Sequence, residues 1–130
     1  MTVQRLEITP EAIQSEIGSM SAQELDLLPF GTIQVDPAGT VLTYNSAEER
    51  LANRSRVNVV GKNFFQDVAP CTRVKRFLGA FQEGVEKKLL NEVFDFTFHF
   101  PTGSKEVRIR MIYTETPRPS VWIFVTPLSG

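Results

Sequence analysis

The stretch Phe94-Asp95-Phe96-Thr97-Phe98-His99-Phe100 alternates aromatic and polar side chains over seven residues. Successive side chains of an extended chain point to opposite faces, so this pattern predicts a β-strand with four phenylalanines on one face and Asp95, Thr97 and His99 on the other. The aromatic face must be covered. After it, Pro101-Thr102-Gly103-Ser104 reads as a turn into a strand through Val107-Arg108-Ile109-Arg110-Met111. Pro117-Arg118-Pro119 then separates that strand from Val121-Trp122-Ile123-Phe124-Val125, which is apolar on both faces and therefore predicted to be central. Before it, Val74, Phe77, Leu78, Phe81 and Val85 recur at spacings of three and four, with Lys75, Arg76, Gln82 and Glu83 on the other side. That spacing predicts an amphipathic helix from about Arg73 to Lys88, lying across the sheet.

Further out, Thr32-Ile33-Gln34-Val35 and Val41-Leu42-Thr43-Tyr44 are joined by Asp36-Pro37-Ala38-Gly39, which fits a type I turn and predicts a hairpin. Asn45 or Ser46 can cap a short helix through Ala47-Glu48-Glu49, and the stretch to Gly61 predicts short helices and loops. Residues 1–28 read as a helical cap. Thr9-Pro10-Glu11-Ala12 offers an N-cap followed by proline, and Ser21-Ala22-Gln23-Glu24 has the capping-box pattern. Helical cap, hairpin, short helices, long helix and three strands imply an α+β domain: a five-stranded antiparallel sheet with helices on one side and an N-terminal helical cap. The division is a cap over 1–28 and a core over 29–130.

At 130 residues the chain can bury a core without disulfides or structural metal. Its 14 Lys+Arg and 15 Asp+Glu give a net charge of −1, which leaves no excess charge to bind nucleic acid or a membrane surface. The expected partner is a protein or a small molecule. The start shows no secretory pattern, no apolar run reaches transmembrane length, and a single cysteine forms no internal disulfide, so the expected setting is cytoplasmic. Ten phenylalanines against two tyrosines and one tryptophan suit a core packed around a flat organic group.

Residue chemistry alone leaves Cys71 open between a packed small hydrophobe and a reactive thiol. A nucleophilic thiol needs a base, and His99, the one histidine, falls on the polar face of its strand. One cysteine and one histidine are too few for a metal site, and none is expected. Glu48 can be read as a solvated helix residue beside Glu49, and Tyr44 as a strand-end tyrosine with a wet hydroxyl.

The block Gly61-Lys62-Asn63-Phe64-Phe65-Gln66-Asp67-Val68-Ala69-Pro70-Cys71-Thr72, together with Tyr44-Asn45-Ser46-Ala47-Glu48, resembles the chromophore segments of the photoactive yellow protein family. The resemblance runs over nearly the whole chain and implies a PAS fold. It also implies a 4-hydroxycinnamoyl (p-coumaric acid) chromophore held as a thioester on Cys71, with Tyr44 and Glu48 hydrogen-bonding its phenolate oxygen and Arg54 covering the pocket. Ala52, Phe64, Ala69, Pro70, Phe98 and Phe100 complete the implied chromophore-binding set. An ionised ring in an apolar pocket needs short hydrogen bonds from neutral donors, so Glu48 is expected to be protonated in the dark. Ala52 stands where well-known members have a threonine that supports the tyrosine, and Phe100 replaces a tyrosine. The loop Pro101-Thr102-Gly103 lacks a methionine that helps the chromophore return to trans.

The resemblance therefore implies a blue-light photoreceptor and not an enzyme, in which isomerisation, proton transfer from Glu48 and partial unfolding form the signal. A downstream signalling protein is its implied partner, and the chain itself is expected to be a monomer or weak dimer. The alternative is a non-catalytic PAS module for ligand binding or dimerisation, without a covalent chromophore. A thiol-dependent acyl transferase is a further class, and it needs a base within reach of Cys71.

Overall fold

The computed structural model describes residues 8–100 and 103–128. The phenylalanine-rich strand is β3 (Asn91–Phe100), paired with β4 (Gly103–Thr114) from Asn91 opposite Ile112 to Phe100 opposite Gly103. With β1 (Gly31–Val35), β2 (Val41–Tyr44) and β5 (Ser120–Pro127), it forms one antiparallel sheet in the order β2-β1-β5-β4-β3. The strand that is apolar on both faces is central, as its sequence predicts. In the predicted turn between β3 and β4, Pro101 and Thr102 lie outside the described residues.

The hairpin turn is formed as read. The Gly39 amide donates to the Asp36 carbonyl, and Asp36 Oδ1 accepts from the Ala38 and Thr40 amides, each at 2.9 Å. Gly39 has φ +94°, a conformation that costs a residue with a β-carbon more than it costs glycine.

Among the described residues, four short α-helices accompany the sheet: α1 (Pro10–Ile13), α2 (Ala22–Asp26), α3 (Ser46–Ala52) and α4 (Ala80–Lys87). Thr9 caps α1, and the Ser21–Glu24 capping box on α2 is complete. The helix expected over Arg73–Lys88 is shorter and begins differently. A π-helical turn, Lys75–Gly79, leads into α4, while Val74 is extended and exposed instead of sitting on the apolar stripe. The tight turn Pro70–Thr72 and the non-helical Arg73 that ends it lie just upstream, and Val74, the residue after Arg73, is extended. The wide turn still leaves Phe77 and Phe81 buried, and Phe77 covers the aromatic face with its centroid 5.2 Å from both Phe94 and Phe96.

Two cores result. Ile33, Val35, Phe64, Phe77, Ile109, Met111, Val121, Ile123 and Val125 fill the inner one, beneath the central helices. Ile17, Leu25, Leu28, Phe30, Ile112, Trp122 and Phe124 fill the outer one, under the N-terminal cap. Asn45 ties the cap to the inner elements. Its Nδ2 donates to the Leu25 and Phe30 carbonyls at 2.8 and 3.1 Å, and its Oδ1 accepts from the Thr32 and Glu48 amides at 2.9 and 3.1 Å. Closer to the surface, Arg56 Nη2 reaches Asp26 at 3.0 Å, Glu49 at 2.9 Å and Ser46 at 3.0 Å. Among the described residues no helix is long and apolar enough to cross a membrane.

Candidate functional site

Two local motifs place the central residues. Asn45 caps α3 and sets Glu48 in its first turn, where the side chain turns inward and is only 4% exposed. Asn63 opens the π-helical turn Phe64–Val68 by accepting from the Phe65 and Gln66 amides, both at 3.0 Å, which buries Phe64 and Phe65. The chain then enters the turn Pro70–Thr72, where the Thr72 hydroxyl donates to the Ala69 carbonyl at 2.6 Å and Cys71 is left half-buried.

Cys71 borders a cleft of about 580 Å³ that is also lined by Ala52, Asn53, Arg54, Val68, Ala69, Pro70, Phe98, His99 and Phe100. That volume lies in the range of small-molecule sites, which combine mostly apolar walls with few polar groups. Asn53 ends α3 in the left-handed conformation, and the following Arg54 lies across the cleft with its guanidinium donating to the Val68 carbonyl at 2.6 Å. Seven of the ten expected site residues thus meet around one opening: Ala52, Arg54, Ala69, Pro70, Cys71, Phe98 and Phe100. Phe64, Tyr44 and Glu48 are buried in the core and do not form the cleft wall. His99 also borders the cleft, while its Nδ1 lies 3.0 Å from the Ser104 hydroxyl.

Glu48 is not a solvated helix residue. Burial pushes its carboxyl up to about 8, against the opposing pull of the Lys105 charge and the Tyr44 hydroxyl. The acid form is therefore favoured at neutral pH. Its Oε1 is enclosed and has no hydrogen-bond partner among the described residues, so a donor or acceptor brought there would meet a free polar atom. Burial, followed by the Glu48 charge, holds the Tyr44 phenol far above its usual range, and Tyr44 remains a neutral hydroxyl. Tyr44 and Glu48 are thus two buried, neutral O–H groups that act on one another.

Two participants were not legible beforehand. Gly31 makes room for Glu48, because a β-carbon at that position would collide with Oε1. A glycine opening an apolar strand is the available signal for such a close approach. Lys105 affects Glu48 from β4, and finding it requires the β3–β4 register, which places it opposite Phe98.

The PAS fold pattern matches residues 20–125. Photoactive yellow protein of Halochromatium salexigens is 42% identical over 116 residues, covering 89% of this chain and 92% of that protein. The Cereibacter sphaeroides photoactive yellow protein is 38% identical over 122 residues, covering 92% and 98%. Among solved structures, the photoactive yellow protein domain of the sensor histidine kinase Ppr from Rhodospirillum centenum has a TM-score of 0.81 at 42% identity, covering 87% of this chain and 98% of that domain. On the matched fold pattern, these identities over nearly the whole chain and the shared architecture, the chain belongs to the photoactive yellow protein family of PAS domains.

Proposed function

We propose that the chain senses blue light through a 4-hydroxycinnamoyl group carried as a thioester on Cys71, with Glu48 as the acid whose proton is lost in forming the signalling state. Membership of the family makes it a sensory module that uses a chromophore and not an enzyme. The observation that carries the finer reading is Glu48: a buried neutral carboxyl with an unpartnered oxygen, on the helix whose last residue, Ala52, lines the cleft that holds the only cysteine.

The residues present fit the group. Cys71 offers a half-buried thiol, Ala69, Pro70, Phe98 and Phe100 offer apolar walls, and Phe64 packs behind them. Tyr44 and Glu48 supply two neutral donors for an anionic oxygen, and Arg54 screens the opening beside Ala52. When bound, the group would supply light absorption, trans-to-cis isomerisation and an acceptor for the Glu48 proton. Glu48 holds that proton in the dark because the charged form is poorly solvated where it sits. Once the proton leaves, a carboxylate stands in the core, and an unpaired buried charge costs several kcal/mol, comparable to the stability of a small domain. Partial unfolding relieves it, beginning with the N-terminal cap, whose described residues 8–28 are held to the core through Asn45, Arg56 and the outer core. The exposed surface then serves a downstream signalling protein.

Incubation of the apo-protein with an activated ester of 4-hydroxycinnamic acid tests the assignment. The thiolate displaces the leaving group, one S–C bond forms, and the leaving group departs with the electron pair. The wild type should gain the mass of one coumaroyl group and turn yellow, and Cys71→Ala should do neither. Equal labelling and colour in the alanine variant would overturn the thioester. Absence of both in the wild type would favour a non-covalent PAS module.

A further inference from the structure

Lys105 stands opposite Phe98 in the β3–β4 register, and directly opposed residues of an antiparallel pair share a face, so its side chain emerges on the cleft side of the sheet. From there its Nζ donates to the Leu51 carbonyl at 3.0 Å. Leu51 lies in the last turn of α3, three residues beyond Glu48 and next to Ala52 of the cleft wall. The last carbonyls of a helix carry partial negative charge and attract a cation, which gives the ammonium a fixed seat. Among the described residues Lys105 forms no ion pair. Its charge is therefore not spent on a neighbouring carboxylate.

We propose that Lys105 is a positioning residue for the light-driven step, an ammonium seated on the end of α3 that stabilises the Glu48 carboxylate once the proton has left. This rests on the reading of Glu48 given above. Few other charges act on that carboxyl. Tyr44, at the end of β2, faces it as a neutral hydroxyl, while Gly31 on β1 and its β5 partner Val125 carry no charge. Arg54 and Glu49 act on Tyr44. Lys105 is thus the cation that opposes the cost of the buried carboxylate. It also makes that cost dependent on salt, because the amine is solvent-exposed.

The test is a carboxyl titration of the apo-protein labelled with carbon-13 at glutamate, with Glu48→Gln used to assign the signal. In Lys105→Met the Glu48 midpoint should rise by roughly half a unit or more, and Lys105→Arg should restore it. Added salt should raise the wild-type midpoint and leave that of Lys105→Met in place. In the loaded protein, the deprotonated state should decay about threefold faster in Lys105→Met, the factor equivalent to half a unit. A midpoint indifferent to both substitutions and to salt overturns the inference, even where the wild type turns yellow with coumaroyl ester. Failure of the wild type to turn yellow overturns the chromophore reading instead, and the apo titration still decides the role of Lys105.

Discussion

Gly31 and Glu48 are in such close contact that a β-carbon on residue 31 would occupy the place of Glu48 Oε1. One hydrogen at Gly31 is what lets an acid be stored against the sheet. Gly31→Ala should push the carboxyl out of its seat and cost about 1–3 kcal/mol by overpacking. Urea unfolding measures the loss, and a carboxyl titration should show Glu48 moving down toward the ordinary glutamate range. Unchanged stability and midpoint together would show that the carboxyl is not confined as described.

Glu48 should also give the apo-protein an unusual pH dependence. Its folded value of about 8 lies above the unfolded value near 4.5, so between these limits the folded chain binds more protons than the unfolded one. Its contribution is fully present below pH 4.5 and is lost as pH rises through 8. Urea midpoints should fall by an amount equivalent to a few kcal/mol between pH 5 and pH 9, and Glu48→Gln should flatten most of that slope. In the loaded protein the same substitution should keep the colour and remove the carboxyl signal from time-resolved infrared spectra.

The Arg56 cluster predicts the opposite sign at acid pH. Partial burial opposes charge on Asp26, but the Arg56 guanidinium and the Ser46 backbone outweigh it and hold the carboxyl below its usual range. Arg56 does the same for Glu49. This stability is present above the unfolded values near pH 4 and is lost as pH falls through the lowered ones. With about a third of each side chain exposed, the cluster is worth about 1 kcal/mol or less. Arg56→Ala should speed hydrogen exchange at the amides of Leu27 and Leu28 while leaving those of β5 protected. Uniform acceleration across the chain would assign Arg56 to global stability instead.

Recovery in the dark should be slow compared with methionine-bearing members of the family, because residues 101–103 carry no thioether. Thr102→Met is the cleaner substitution, since Gly103 has φ +134° and a side chain there is strained. Flash photolysis should show faster recovery in Thr102→Met. Fast recovery in the wild type with no gain in the variant would show that the site resets by another route.

Period-two alternation and capping chemistry are local signals, and where they act alone the sequence reads well: the Phe94–Phe100 strand, the hairpin turn at Gly39 and the Ser21–Glu24 box all form as expected. Val74 departs from the expected stripe because helical spacing does not register the Pro70–Thr72 turn and the extended residue that follows Arg73. Of the ten residues expected at the site from the likeness around Pro70-Cys71-Thr72 and Tyr44–Glu48, seven line one cleft and three are buried in the core. What could not be read were contacts between distant segments. Gly31 against Glu48 requires the folding of the hairpin onto α3, and Lys105 beside Leu51 joins residues separated by 54 positions.

The alternation along β5 has a mechanical consequence. Val121, Ile123 and Val125 belong to the core beside the site, while Trp122 and Phe124 belong to the core beneath the cap. Neighbouring residues of one strand are about 3.3 Å apart along the chain, so a single backbone is the party wall between two packed compartments. Close-packed interiors transmit displacement instead of absorbing it. In the proposed photocycle, a charge created on the Glu48 side would unseat Trp122 and Phe124 through the thickness of the sheet, without any signal having to travel around its edge.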